Sequence, residues 1–189
     1  MNLYNLNFHK SIENEEIPQA IRIAMYIKEF IKPKNFIDFG SSSGIYVDQI
    51  QKNISTIDAI GYEFSEDACN NAVCKNIINC DLTQELNVEK KENTLGLCLE
   101  VLEHIDDKYW LEVLTNITNL SDIIIFSAAH PGQGGIGHIN CRPKIDWIKR
   151  FHKLGWIIDH DLTTHFINYM VSGYHFGWLR MNVIILIKC

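Results

Sequence analysis

The chain lacks the marks of several large protein classes. No apolar run reaches the roughly 18 residues that a membrane-spanning helix needs, and no basic-then-apolar amino terminus suggests a secretory leader. The expectation is a cytoplasmic protein with no membrane partner. Basic residues do not cluster and the formal net charge is −6, so a nucleic-acid phosphate surface is not an expected partner. The six cysteines, Cys69, Cys74, Cys80, Cys98, Cys141 and Cys189, include no Cys-x-x-Cys pair and stand with no paired histidine spacing. They read as reduced, largely buried thiols rather than a disulfide framework or a zinc knuckle. Internal repeats and low-complexity tracts are absent as well. What is there, 189 residues with 47% hydrophobic side chains, suits one domain around one core.

The chain is organised around Phe36-Ile37-Asp38-Phe39-Gly40-Ser41-Ser42-Ser43-Gly44, an apolar strand running into small residues and then into a helix from Ile45. Gly40 and Gly44 let the backbone turn sharply and approach a ligand, and the free amides of the following helix start face it. Asp38 sits toward the carboxyl end of the strand, where ligands bind in open parallel sheets. The alternative is a bare strand-to-helix turn in which these residues serve geometry alone.

Ile17, Ala20, Ile21, Ala24, Ile27 and Ile31 fall at spacings of three and four, which predicts an amphipathic helix with Pro18 in its first turn and Pro33 at its end. This helical segment, within residues 1–34, is expected to pack on the main domain. Ile45–Ile54 reads as a crossover helix and Ile57–Phe64 as a second strand. Glu63 closes that strand 19 residues beyond Gly44, about the distance at which an acid meets ribose hydroxyls in a nucleotide-binding βαβ unit. Ser65 caps a helix to Cys74 or so. Ile77–Leu82 is a third apolar run, ending at Asp81 and Leu82, and Thr94–Leu99 a fourth, followed by Glu100-Val101-Leu102-Glu103-His104. A helix from Asp106 to Leu120 leads to a fifth strand, Asp122–Phe126, apolar enough to be buried on both faces. Strands alternating with helices argue for a parallel sheet.

Taken together, Asp38-Phe-Gly40-Ser-Ser42-Ser-Gly44, Glu63, Asp81 and Cys98-Leu99-Glu100-Val101-Leu102-Glu103-His104-Ile105 resemble the class I S-adenosylmethionine-dependent methyltransferases over nearly the whole chain from Ile17. The resemblance implies an α/β, Rossmann-like fold with a seven-stranded, mostly parallel sheet and helices on both faces. It implies that the Gly40–Gly44 loop holds the methionine part of the cofactor, Glu63 the ribose, Asp81 with Leu82 the adenine, and Glu100 or its neighbours the sulfonium side, with S-adenosylhomocysteine as product. One departure is Ser42, where the family's middle glycine usually stands. A nicotinamide cofactor fits less well, since Gly-x-Gly-x-x-Gly would need a glycine at Val47 to cradle a pyrophosphate.

Beyond the fifth strand, residues 127–143 carry four glycines and a proline in Pro131-Gly132-Gln133-Gly134-Gly135-Ile136-Gly137-His138-Ile139-Asn140, which excludes a regular helix. This loop resembles that of small-molecule methyltransferases among glycan-modifying enzymes. Methylation of a hydroxyl needs alignment and a proton acceptor, and histidine is the natural base near neutral pH. His138 is the first candidate, framed by Gly137 and Asn140; His130 and His104 follow. Each also reads as a structurally bonded ring. A divalent metal held by His130 and His138 with Glu100 or Asp106 is disfavoured, because no acid lies between Asp122 and Asp146.

The remainder reads as scaffold. A helix from Pro143 to Leu154 stops at Gly155, Trp156–Ile158 is a sixth strand, Thr163–Gly177 a long aromatic connection, and Asn182–Ile187 the last strand. His165, Phe166, Tyr169, Tyr174, His175, Phe176 and Trp178 are expected mostly as hydrophobic cover, with stacking on a sugar, or a phosphate on Arg180, as the functional alternative. The expectation is methyl transfer to a small polar acceptor, most simply a hydroxyl of a sugar or nucleotide sugar. An N- or carboxyl-methyltransferase, or a non-catalytic cofactor- or partner-binding domain, is the alternative.

Overall fold

A computed structural model describes residues 6–171 and 177–189, with side chains from residue 16 onward. The expected Tyr174, His175 and Phe176 lie outside the described residues. Seven strands form one sheet: β1 (Asn35–Phe39), β2 (Asp58–Glu63), β3 (Ile77–Asn79), β4 (Thr94–Leu99), β5 (Ile123–Ser127), β6 (Trp156–Ile158) and β7 (Ile184–Lys188). Their order is β3-β2-β1-β4-β5-β7-β6. β1 to β5 pair in parallel, while β7 is antiparallel to both β5 and β6. The chain works outward from β1 to β3, returns to lay β4 on the other side of β1, and so makes a topological switch point between β1 and β4.

Helices cover both faces, as the strand pattern demands. α1 (Leu6–Tyr26), α2 (Ile45–Asn53) and α6 (His160–Val171) share a core with Phe36, Leu95, Leu97, Ile125 and Ile185. α4 (Trp110–Leu120) and α5 (Lys144–Lys153) pack on the opposite face against Phe39, Cys98, Ile124, Phe126 and Leu186. Neighbours Ile124, Ile125 and Phe126 thus alternate between two cores, the period-two signature of a strand buried on both sides. Short α3 (Glu66–Asn70) is capped by Ser65, whose Oγ accepts from the Ala68 amide (3.2 Å). α7 (Gly177–Asn182) precedes β7.

Several boundaries differ from expectation. The first helix starts by Leu6, so Pro18 lies in its interior and not in its first turn. Its last turn, Ile27–Ile31, is π-helical, and Lys32 ends it in a left-handed conformation ahead of Pro33. The helix after Ser65 stops at Asn70, and β3 ends at Asn79, leaving Asp81 and Leu82 on the following turn. The aromatic connection is mostly helix: in α6 Phe166 and Met170, one turn apart, are both buried, and the surrounding aromatics obscured that period. Asn182 ends α7 and does not begin the last strand.

Phe126 is 1% exposed and meets Phe151 and Trp147 edge-on, with centroids 5.0 and 5.8 Å away. Phe126→Ala is expected to cost about 3–5 kcal/mol, read as a lowered urea midpoint; a loss under about 1 kcal/mol would contradict this packing.

Candidate active site

The carboxyl ends of β1, β2, β3 and β4 open into one cavity of about 850 Å³. Its wall includes Asp38, Gly40, Ser41 and Ser42 from β1 and its loop, Glu63, Ser65 and Glu66 after β2, Asp81, Leu82 and Thr83 after β3, and Leu99, Glu100 and Val101 after β4. Glu16 and Tyr46 close one side, and His104, Asp106, Tyr109, Gln133, His138 and Trp178 another. Of the sequence candidates, Asp38, Gly40, Ser42, Glu63, Asp81, Leu82, Glu100, His104 and His138 line this cavity. Gly44 stands just behind it as the α2 cap (φ 81°), and His130 is not among the lining residues; its Nδ1 lies 2.9 Å from the Pro131 carbonyl. Arg180 is exposed and off the wall, while His165 and Tyr169 pack on Tyr26 as cover.

The loop geometry explains its small residues. Gly40 has φ +80°, and a Cβ there would come within 2.6 Å of Val101 Cγ2. Ser42 takes φ 50°, a left-handed conformation that glycine adopts without cost and serine tolerates at some strain. Its amide is fixed nonetheless. Ser42 N donates to Glu63 Oε2 and Ser65 N to Glu63 Oε1, both at 2.7 Å, so one carboxylate ties the β1 loop to the β2 end. Asp81 Oδ1 accepts from the amide (2.9 Å) and hydroxyl (2.7 Å) of Thr83, an Asx turn that shapes the wall beyond β3.

Charge is distributed unevenly. Seven carboxylates (Glu16, Asp38, Glu63, Glu66, Asp81, Glu100, Asp106) line the cavity, with no lysine or arginine among the described lining residues. Asp38 is 3% exposed and its Oδ2 meets no donor among the described residues. Burial raises its pKa well above the usual carboxylate value, and the charges of Glu16 and Glu63 push the same way. Glu100 holds a left-handed backbone (φ 53°), and its carboxylate accepts from Gln133 Nε2 (2.6 Å) and Asn182 Nδ2 (3.2 Å). Asn182 Nδ2 also donates to Gln133 Oε1 (2.8 Å), closing a polar triangle.

The glycine-rich loop is pinned to the turn after β4. Ile139 N (2.8 Å) and Asn140 N (3.0 Å) both donate to the Glu103 carbonyl, and Asn140 Nδ2 donates to the Leu102 carbonyl (3.3 Å). This sets the His138 ring against that of His104, centroids 4.9 Å apart at 70°. His104 Nδ1 is 3.3 Å from the Gly137 carbonyl; His138 Nδ1 is 3.2 Å from the Gln133 carbonyl and 3.6 Å from Cys141 Sγ. Burial lowers the His104 pKa, favouring the neutral ring. Glu103 lies beneath them, fully buried, its Oε1 4.0 Å from His138 Nε2. Desolvation and the Glu100 charge raise its pKa, against the pull of the Glu103 and Ala129 amides. Sequence reasoning assigned no individual role to Glu103, Gln133, Asn182, Tyr46 or Glu16, and placed Trp178 only among the aromatics that could stack on a sugar. Glu103 carried a signal in the Glu-Val-Leu-Glu-His block, and Gln133 in the Pro-Gly-Gln-Gly-Gly loop.

No family model matches the chain, and no curated protein matches its sequence significantly. Solved structures match in fold. Magnesium protoporphyrin IX methyltransferase from Synechocystis PCC 6803, solved with bound SAH, superposes with TM-score 0.67 at 14% identity over 98% of this chain and 88% of that one. The sugar N-methyltransferase KedS8 from Streptoalloteichus sp. ATCC 53650 gives 0.64 at 12% identity over 92% and 86%. The mitomycin 7-O-methyltransferase MmcR gives 0.65 at 11% identity over 96% of this chain but 56% of that one, so the chain spans little more than half its length. The fold is that of the class I S-adenosylmethionine-dependent methyltransferases, with the seven-stranded Rossmann-like sheet expected from sequence.

The buried Asp38 carries a testable cost. Its folded pKa lies above its unfolded value, so the native chain holds a proton that the unfolded chain releases. Its contribution to stability is present below about pH 4, the unfolded value, and is lost as pH rises toward the folded pKa. Asp38→Asn is therefore expected to show a flatter decline in urea midpoint than the parent from about pH 4 upward; equal slopes would show that Asp38 is not held at a cost.

Proposed function

We propose that the chain is an S-adenosylmethionine-dependent methyltransferase acting on a small polar acceptor, with a hydroxyl of a neutral, sugar-like molecule as the preferred target. The observation that carries the reading is the convergence of four successive strand ends, with their acids, on one cavity at the switch point of the sheet. The residues fit such a cofactor. Asp38, a buried acid with an oxygen that meets no donor among the described residues, suits a cationic group, and the acid-rich wall suits a cofactor that is positively charged and free of phosphates. When bound, that group supplies a methyl already activated by positive sulfur.

In this reading the Gly40–Gly44 loop and Asp38 hold the methionine end, Glu63 accepts from the ribose hydroxyls, Asp81 and Leu82 flank the adenine, and Glu100 stands on the sulfonium side. Glu63 retains lone pairs for this after binding the two amides, since each carboxylate oxygen accepts more than one hydrogen bond. The acceptor's proton is handled at the His104–His138 pair, which the pinned loop holds on the cavity wall. A nucleotide-sugar acceptor is less suited, because its phosphates would meet carboxylates without a described Lys or Arg on the wall. The same acidity supports an amine acceptor as the second reading, and the fold shared with a sugar N-methyltransferase accords with it.

Calorimetry with S-adenosylhomocysteine is expected to give one site per chain, and donor consumption across a panel of neutral sugars and amino sugars to identify the acceptor. His138→Ala is expected to lower turnover at least about 100-fold while leaving S-adenosylhomocysteine affinity nearly unchanged. Absence of binding would remove the cofactor reading, and near-normal turnover by the variant would remove His138 from the chemistry.

A further inference from the structure

Glu103, His104 and His138 come from two separate segments, the turn after β4 and the glycine-rich loop, yet one donor atom of each lies within 4.8 Å of the others. Each imidazole has its Nδ1 facing a backbone carbonyl, Gly137 for His104 and Gln133 for His138. A carbonyl only accepts, so in the neutral ring the proton sits on Nδ1 and the lone pair on Nε2. This is the arrangement in which a protein orients histidines toward a metal, with the second nitrogen bonded to a backbone oxygen. The carboxylate is the independent observation. Glu103 is fully buried, and among the described residues neither Oε1 nor Oε2 makes a hydrogen bond of good geometry, although the Glu103 and Ala129 amides and the Glu100 carboxyl lie near enough to act on it. A buried carboxylate left this way is costly unless a cation or proton joins it.

We infer that Glu103, His104 and His138 form a binding site for a divalent first-row transition-metal ion at the acceptor end of the cavity. Two imidazoles and one carboxylate are a donor set such ions accept, and three protein ligands leave positions open for an acceptor oxygen. Ligand atoms around a tetrahedral ion with bonds of about 2.0–2.1 Å stand about 3.4 Å apart. The 4.0 Å between His138 Nε2 and Glu103 Oε1 then closes by about 0.6 Å on uptake, and the widest separation in the set, within 4.8 Å, by at most about 1.4 Å, through side-chain rotation. Sequence reasoning discounted a metal because it sought an acid inside the loop; the acid stands on the turn to which the loop is pinned.

The role given to the ion rests on the methyl-transfer reading. It lowers the pKa of a coordinated acceptor hydroxyl, whose proton leaves to solvent. The oxygen then forms its bond to the methyl carbon as the carbon–sulfur bond breaks, the electron pair staying on sulfur. In this step the two histidines act as ligands, in place of the proton-accepting role given to the pair above.

The test is titration of the chelator-treated full chain with Zn2+ by calorimetry and with Mn2+ by electron paramagnetic resonance, beside S-adenosylhomocysteine calorimetry on the same samples. One ion per chain is expected. Glu103→Gln and His138→Ala should each weaken it at least about 10-fold, while His152→Ala, on the exposed side of α5, leaves it within about twofold. Circular dichroism matching the parent confirms that the variants are folded. Ion binding that is substoichiometric, or equally tight in Glu103→Gln and His138→Ala, overturns the site and points to the free thiols instead. Ion binding without S-adenosylhomocysteine binding keeps the site and removes the methyl-transfer reading; the reverse keeps that reading and removes the site.

Discussion

The reversal of strand order between β1 and β4 is the constraint on which the rest of the molecule depends. Chain leaving β1 turns toward β2, and chain leaving β4 turns the other way toward β5, so the two loops part and a crevice opens over the strand ends. Most of the candidate site residues stand on segments that leave the sheet at its carboxyl edge, joined by Glu16 of α1, Tyr46 of α2 and Trp178 and Asn182 of α7. The sheet supplies stiffness through a central β1–β4 pair buried in two apolar cores. The loops above it supply the chemistry.

Within the crevice, electrostatics selects the occupant. Carboxylates gathered against low-dielectric walls repel one another, and at buried Asp38 desolvation raises the pKa first, with the charges of Glu16 and Glu63 adding to it. Such an arrangement opposes folding and favours a cationic guest, a trade common at binding sites. Glu63 shows the other use of an acid: by accepting two backbone amides it fixes the mutual position of two loops before any ligand arrives. Pre-set loops lose less conformational freedom on binding.

The opposite wall is built by a backbone atom. The Glu103 carbonyl receives the amides of Ile139 and Asn140, so a loop with no regular structure between β5 and α5 acquires a defined place. Arg142 continues the anchorage through Asp107 (2.7 Å), which also meets Arg150 of α5 (2.7 Å). Because one residue both holds the loop by its carbonyl and underlies the histidines with its side chain, the geometry of the two rings is tied to that of the buried acid.

The sequence by itself determined the order of the strands and of most helices, the fold class and the strand–loop–helix at Gly40–Gly44, because these rest on local period and on short motifs. A run such as Thr94–Leu99 has one reasonable conformation wherever it is buried, and the spacing from Gly44 to Glu63 is carried by a single βαβ unit. Boundaries failed where local signals conflicted: Pro18 suggested a helix start that packing of α1 on α2 overrode, and the aromatic crowding of 163–177 hid the buried pair Phe166 and Met170. Only tertiary structure decided which histidines share a wall. His130 and His138 stand eight residues apart in the chain, yet His138 meets His104, 34 residues earlier, while His130 is not on the cavity wall. Hydrogen bonds from the loop to the Glu103 and Leu102 carbonyls, made across separate segments, have no period or motif to announce them.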